Sequence, residues 1–274
     1  MSPAPESHNG VGDGHHGHHG GRNDPAPTDS AGQPWAGRSF TPNPAAADDG
    51  SADPALLHAL NGFAAGTARP EDVVEAFRSA RVLIPLLAHA GEVGVAADGH
   101  LVDKTQELSI VTVAGPDGRK VLPAFTSVQT LAAWDPQARP VPAAGPRVAL
   151  AAVSEQTELI VIDPASPTEF VLRRPAVFAL AQGEPWRSPE RDPAVRAAFE
   201  RSRADEPDVL GLELIPGDPQ HRMRAAELAI RLRLRDGLDQ AALQALTSRL
   251  SSRWAASPAI ATSVDSLALQ LVRA

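Results

Sequence analysis

The sequence predicts an α+β (mixed α/β) fold of two small domains, each a short sheet packed with helices, after a disordered N-terminal tail. Residues 1–52 are rich in Gly, Pro, Asp, Ala and Ser, with too few bulky apolar side chains to offset the entropy of ordering. A strand, turn, strand and helix pattern follows at residues 108–135, and a second set of helix and strand patterns occupies the last third of the chain. We therefore predict a tail (1–52), an N-terminal domain (53–186) and a C-terminal domain (187–274).

Composition excludes several classes of protein. The chain has 274 residues, 43% of them hydrophobic, and no cysteine, which excludes disulfide scaffolds, thiolate catalysis and cysteine-ligated metals. Its net charge of -8 argues against broad electrostatic capture of nucleic acid or an anionic membrane. The sequence shows neither an apolar signal segment nor a run long enough to cross a bilayer. We expect a cytoplasmic protein.

The centre of the first domain is predicted to be a hairpin followed by a capped helix. Residues 108–113 and 121–125 are mostly apolar, and AGPDGRK between them is typical of a reversing turn. Thr126, followed three residues later by Gln129, matches a capping box. The helix should end at Asp135, because a proline follows it.

This unit carries a family resemblance. The run DGRKVLPAFTSVQTLAAWDP, preceded by VLIPLL and by Val102-Asp103-Lys104, resembles the N-terminal domain of the SseB (enhanced serine sensitivity) family, in the form common in actinobacterial proteins. The resemblance covers roughly residues 53–186, and LPAFTS with the downstream Trp-Asp-Pro is its most specific part. It implies the fold of this domain, and no established reaction, cofactor or catalytic residue.

The remaining elements of the first domain follow from caps and periodicity. Asp53-Pro54 and Pro70 are helix starts, and residues 82–87 form a strand in which Pro85 indicates an edge or a bulge. The prolines between 136 and 146 predict an extended connector. Further along we expect a helix at 147–154, strands at 158–162 and 169–172, a helix from Pro175 to Gly183, and a linker at 182–192.

The C-terminal domain is predicted as helix, strand, two helices and strand. Asp192-Pro193 starts the first helix, and the later elements are a strand at 209–215, helices at 222–235 and 239–255, and a strand at 266–272. This order, with VLGLELIPGD and VDSLALQL, also resembles the C-terminal domain of SseB-family proteins.

Two clusters of ionisable residues allow alternative interpretations. The tail segment GHHGHHGG holds His15, His16, His18 and His19, which are either a solvated tract or ligands for zinc, nickel or copper. Five arginines between positions 222 and 235 are interpreted as a solvated, partly partner-facing surface rather than a nucleic-acid site, because no aromatic platform accompanies them.

The leading functional interpretation is a non-catalytic interaction or regulatory protein with an unidentified protein partner and no cofactor. Its predicted contact residues are Phe125, Thr126, Ser127 and Trp134, because aromatic anchors often dominate interface energy; the alternative is that Phe125 and Trp134 fill the core. A second hypothesis is an enzyme or small-ligand-binding protein with a site near Asp103 and Lys104. The sequence does not predict an oligomeric state.

Overall fold

The computed structural model describes residues 48–88, 94–95, 101–102 and 108–273. These residues belong to one compact unit. Within them no helix is long and apolar enough to cross a membrane.

The architecture is mixed α+β, as predicted. The helices are α1 (Pro54–Ala64), α2 (Pro70–Ser79), α3 (Val128–Trp134), α4 (Gly145–Ser154), α5 (Arg174–Gln182), α6 (Pro193–Ser202), α7 (Gln240–Ala255) and α8 (Pro258–Ser263), with a 3₁₀ helix at Pro189–Arg191. The strands are β1 (Arg81–Ala88), β2 (Gly94–Val95), β3 (Leu101–Val102), β4 (Leu108–Ile110), β5 (Val113–Ala114), β6 (Lys120–Ala124), β7 (Arg139–Ala144), β8 (Ile160–Ile162), β9 (Phe170–Leu172), β10 (Val209–Pro216), β11 (Leu228–Leu234) and β12 (Leu267–Arg273).

Two larger sheets lie in the N-terminal half of the described chain, residues 48–186, beside the two-stranded sheet β2-β3. One has the order β4-β1-β7 and the other the order β5-β6-β8-β9, in which β6 and β8 are parallel. The Leu83–Phe125 bridge joins the two sheets. Helices α1, α2, α4 and α5 supply the side chains that pack on them, and Phe77, Phe170 and Leu122 are fully or almost fully buried in that core.

The first helix of this half starts at its predicted cap, whereas α3 has a different cap. Asp53 accepts hydrogen bonds from the backbone N–H groups of Ala55 and Leu56, which satisfies donors that a helix end leaves free. At α3 the cap differs from the prediction: Ser127 is the cap and Thr130 its partner, instead of Thr126 and Gln129. The physical reason is that the hydroxyl of Thr126 donates instead to the buried Asp163 carboxylate, at 2.7 Å.

The predicted strand at 108–113 is divided between two sheets. Its first part, β4, pairs with β1, and only β5 forms a hairpin with β6. The predicted reversing turn lies between β5 and β6, with Gly118 at a positive φ of 82°. Glycine adopts that conformation without a side-chain clash.

The prediction for Pro85 and for the proline-rich connector was wrong in part. β1 is the central strand of its sheet, and the connector contains the edge strand β7, which pairs with it. Leu83 uses its backbone groups to bond Phe125 on the side away from β7, so odd-numbered residues of β1 do not bond β7. Pro140 and Pro142 stand opposite Pro85 and Leu83, and their missing N–H groups therefore cost no hydrogen bond to β1.

The C-terminal half, residues 187–273, contains the sheet β10-β11-β12. β10 and β11 are antiparallel, whereas β11 and β12 are parallel. Buried side chains of α6, α7 and α8, among them Phe199, Leu250 and Ile260, pack on one face of this sheet. The predicted helix starts at Asp192 and Asp239 are present, and each aspartate caps its helix.

The predicted helix at 222–235 was wrong, because this segment contains a loop followed by β11. Leu228, Ile230, Leu232 and Leu234 are buried, and Arg231 and Arg233 alternate with them on the opposite face. That alternation has the period of a strand, while the arginines gave the segment an apparent helical amphipathicity. The arginines consequently lie on a sheet face and not along a helix.

Candidate functional site

The loop between β10 and β11, residues 217–227, joins the two halves of the molecule. The backbone N–H of Val171 in β9 donates to the carbonyl oxygen of His221 at 2.7 Å. Met223 is buried beside Val121 and Leu159, on a face of the β5-β6-β8-β9 sheet. His221 and Met223 both have positive φ, a strained conformation for residues with side chains. The loop is thus held in an unusual shape by contacts with the N-terminal half.

A buried arginine organises the junction. The Arg173 side chain is 3% exposed and donates to Asp218 Oδ2 at 2.7 Å and to Asp265 Oδ2 at 3.2 Å. It also donates to the Ala225 carbonyl and the Ser266 hydroxyl. A buried guanidinium is tolerated when its donors are satisfied in this way. Arg173 therefore holds the loop and the segment before β12 against the end of β9.

A second arginine completes this network from the β5–β6 turn. Arg119 donates from both Nη atoms to the Asp265 carboxylate, each at 2.9 Å, in the bidentate geometry that arginine forms with carboxylates. Burial alone would raise the pKa of Asp265, but the hydrogen bonds and charges of Arg119 and Arg173 outweigh it and hold that pKa below its usual value. The Asp265 carboxylate is therefore ionised at neutral pH and forms an ion pair with Arg119.

A cavity of about 100 Å³ lies beside this network. Its polar wall contains Glu190, Glu227 and His221, and its apolar wall contains Phe63 and four prolines. The four are Pro70, Pro189, Pro216 and Pro219.

In the described part of the chain, Glu227 has one buried carboxylate oxygen without a hydrogen-bond partner. It is 6% exposed; Oε2 accepts the backbone N–H of Asp265 at 2.6 Å, whereas Oε1 has no hydrogen-bond partner within the described residues. Burial, the largest cause, and the nearby charges of Asp265 and Glu190 together raise the pKa of Glu227 to about 7. The carboxylate is thus poised near its titration point.

The imidazole of His221 is shielded by aromatic rings. It stacks on Phe170 with ring centres 4.7 Å apart, and the edges of Phe63 and Trp186 approach it. Burial, the largest cause, and the charge of Arg173 together lower the pKa of His221 to about 4. The side chain is neutral at pH 7 and contributes a polar, uncharged surface to the cavity.

The contact residues predicted from the sequence occupy a different region. Phe125 and Thr126 are essentially fully buried and Ser127 is buried, while Trp134 is half-buried and packs against Phe125. Thr126 donates its N–H and its hydroxyl to Asp163, at 2.8 and 2.7 Å, so its polar atoms have a structural partner. A role for these residues in partner binding stays a prediction, for which Trp134 offers the exposed surface.

Other predicted residues lie outside the described part of the chain. These are Asp103 and Lys104, together with the histidine tract His15, His16, His18 and His19. Within the described residues, no group of three or more His, Asp or Glu side chains has an arrangement that could hold a metal ion.

Sequence reasoning missed the Arg173 network and the cavity. Arg173 and Asp265 are 92 positions apart, and neither belongs to a motif. A weak signal exists in the polar turn PGDPQH after β10, whose aspartate is Asp218. Its partner could be found only in the folded chain.

A second surface is formed by β12 at the edge of its sheet. Leu267, Leu269 and Leu271 share the face of the buried β11 residues Leu228, Ile230 and Leu232, yet they are 36% to 42% exposed. On the opposite face Val272 is also exposed. Within the described residues no strand pairs with the outer edge of β12. Apolar, unpaired edges of this kind are sites for strand addition.

A family model matches the N-terminal part of the described chain. The search of curated proteins and the search of solved structures gave no match. The family model described as SseB protein N-terminal domain matches residues 55–179, which include β1, the β5–β6 hairpin, α3 and Arg173. Residues 55–179 are therefore similar to the N-terminal domain of the SseB family, in agreement with the resemblance seen in the sequence.

Proposed function

We propose that the protein is a non-catalytic interaction protein that self-associates by pairing β12 with β12 of a second copy. The observation that supports this proposal is the exposed apolar edge of β12, described above. Pairing would extend the three-stranded sheet β10-β11-β12 into a six-stranded sheet across a two-fold axis.

The sequence of β12 is self-complementary in the antiparallel direction. A register centred on Gln270 pairs all seven residues of the strand, with Leu269 opposite Leu271 and Ala268 opposite Val272 of the second copy. Residues 267–272 carry no charge, so no like charges meet, and Arg273 stands opposite Leu267. Apolar cross-strand pairs of this type stabilise antiparallel strands.

An open groove beside β12 provides additional contact area. It has a volume of about 810 Å³ and lies between the beginning of α7 and the end of β12. Leu238, Leu243 and Leu271 line it. Side chains of the second copy that project from the added strand would fill part of this groove, which increases the apolar area buried on association.

The cavity network supports a structural role for the buried charges. The two Nη atoms of Arg173 donate to four acceptors, and Arg119 is engaged by Asp117 and Asp265. The donors of these two arginines are thus occupied within the fold, which is typical of structural ion pairs. We further propose that the protein acts in the cytoplasm, since a fold without cysteine needs no oxidising compartment.

Sedimentation equilibrium of the full chain tests this proposal. We expect the weight-average mass to rise from monomer towards dimer between about 1 and 200 µM, the range of a small interface. Gln270→Lys places two like charges opposite each other and should weaken the dimer, and Gln270→Glu should do the same. A mixture of the two variants should associate again, because each pair then unites opposite charges.

Gln137→Lys, at an exposed position of the N-terminal half, is the matched control and should leave association unchanged. A wild-type chain that stays monomeric at the highest concentration would refute the proposal. So would variants at Gln270 that dimerise as well as the wild type.

A further inference from the structure

A groove of about 370 Å³ lies between the end of α1, the loop from β8 to β9 and the loop from β10 to β11. Both halves of the molecule therefore contribute to its lining. The volume corresponds to roughly twelve non-hydrogen atoms, if each takes the space of one water molecule in the liquid. A groove of this size is within the range of sites that bind small molecules.

Three side chains, Leu60, Phe63 and Phe170, form an apolar wall of this groove. Leu60 and Phe170 are almost fully buried, and the half-buried Phe63 packs against the same core. The rings of Phe63 and Phe170 meet edge to face with their centres 4.9 Å apart, and His221 stacks on Phe170. An apolar group in the groove would thus contact side chains that the fold already holds in place.

Arg222 supplies the positive charge of the groove. Its Nη2 atom donates to the carbonyl oxygen of Pro167 at 3.1 Å, and both residues line the groove. Arg119 and Arg173 are paired with buried carboxylates, whereas Arg222 forms no ion pair within the described residues. A guanidinium has several N–H donors, so most of those on Arg222 remain available at the groove.

The conformation of the β10–β11 loop places Arg222 at this position. The residues on either side of it have positive φ, 49° for His221 and 55° for Met223, a conformation that costs energy for residues with side chains. His221 packs on Phe170 and Met223 is buried beside Val121. Because both neighbours are held by the N-terminal half, the side chain between them is directed to the groove.

Glu169 also lines the groove, but it does not pair with Arg222. Its Oε2 atom accepts the backbone N–H of Ala165 at 2.7 Å, so the carboxylate is held by its own loop. An arginine with free donors beside an apolar wall suits a carboxylate ligand, which accepts two parallel hydrogen bonds from one guanidinium. The charge of Glu169 weakens the attraction for such a ligand, and removing that charge should strengthen it.

We propose that this groove binds a small monocarboxylate with an apolar or aromatic body. The carboxylate accepts hydrogen bonds from Arg222, which fixes the orientation of the ligand, while the body contacts Leu60, Phe63 and Phe170 and loses apolar surface to water. The groove contains no residue of β12, so this site does not depend on self-association.

Titration of the full-length protein with 4-phenylbutyrate, followed by ¹H–¹⁵N correlation spectra, tests the proposal. The amides of Phe170 and Arg222 should shift in a saturable manner, with a dissociation constant below about 5 mM. The uncharged 4-phenyl-1-butanol should bind more weakly by about tenfold or more, because it lacks the carboxylate. A peptide with a C-terminal phenylalanine, compared with its amide, distinguishes a chain end from a free acid as the natural source of the carboxylate.

Three substitutions separate the site from general effects on the fold. Arg222→Gln should weaken 4-phenylbutyrate binding by about tenfold or more, whereas Arg224→Gln, at an exposed position of the same loop, should leave it unchanged. Glu169→Gln keeps an acceptor for the Ala165 N–H and should strengthen binding by about twofold or more, because it removes the negative charge beside Arg222.

The gain in Glu169→Gln is a result that a purely structural role for Arg222 would not produce. If Arg222→Gln disturbs the fold, seen as a loss of dispersed amide signals, Glu169→Gln decides the question. Absence of saturation, equal affinity for 4-phenyl-1-butanol, or a Glu169→Gln variant that binds no more tightly than the wild type would each overturn the proposal.

Discussion

Replacing Glu227 with glutamine should make the protein more stable at alkaline pH. Its pKa is raised from 4.5 to about 7 in the folded chain, so the folded state binds this proton more tightly than the unfolded state. The resulting stabilisation is fully present below pH 4.5 and is lost as the pH rises through 7. From the size of the shift, the ionised carboxylate costs about 3 kcal/mol at pH 8.5.

Urea unfolding of wild type and Glu227→Gln at pH 5.0 to 8.5 measures this effect. The variant should be more stable by about 1 kcal/mol at pH 5, where the carboxyl of the unfolded chain is already mostly ionised, and by about 3 kcal/mol at pH 8.5. His221, whose pKa is lowered to about 4, removes stability from both proteins as the pH falls below 6.5, and its contribution cancels in the comparison. Glu75→Gln, at an exposed site, is the control.

A pH-independent difference between wild type and Glu227→Gln would refute this reasoning, as would a variant that is less stable at pH 8.5. Either result would mean that Glu227 is better solvated than its buried position indicates.

Two further substitutions test how the molecule is held together. Arg173→Met should lower the free energy of unfolding, measured by urea denaturation, by about 3–5 kcal/mol, because it leaves the buried Asp218 and Asp265 carboxylates without their shared partner. A loss below about 1 kcal/mol would contradict a central role for this arginine. Gly145→Ala should destabilise the N-terminal half, since a Cβ at this position would overlap the carbonyl oxygen of Phe77. The midpoint of thermal unfolding should therefore be lower in this variant. An unchanged midpoint would count against the close approach of α4 to α2.

Much of the secondary structure was determined by local sequence. The helices that begin at Asp53-Pro54, Asp192-Pro193 and Asp239 start where their caps predict, because capping involves atoms only two or three residues apart. The alternation of Leu267, Leu269 and Leu271 likewise identified the last strand, since the faces of a strand follow directly from its period of two.

Only the tertiary structure decided how these elements are paired and which charges are buried. Residues 222–235 contain apolar and arginine residues that suit a helix in isolation, yet pairing with β10 and β12 makes the later part a central strand, because burial of a strand between two neighbours outweighs intrinsic propensity. Arg173 and Glu227 give no local signal, since their partners lie as far as 93 positions away. Their chemistry arises from the loss of water around them, and that depends on which parts of the folded chain cover them.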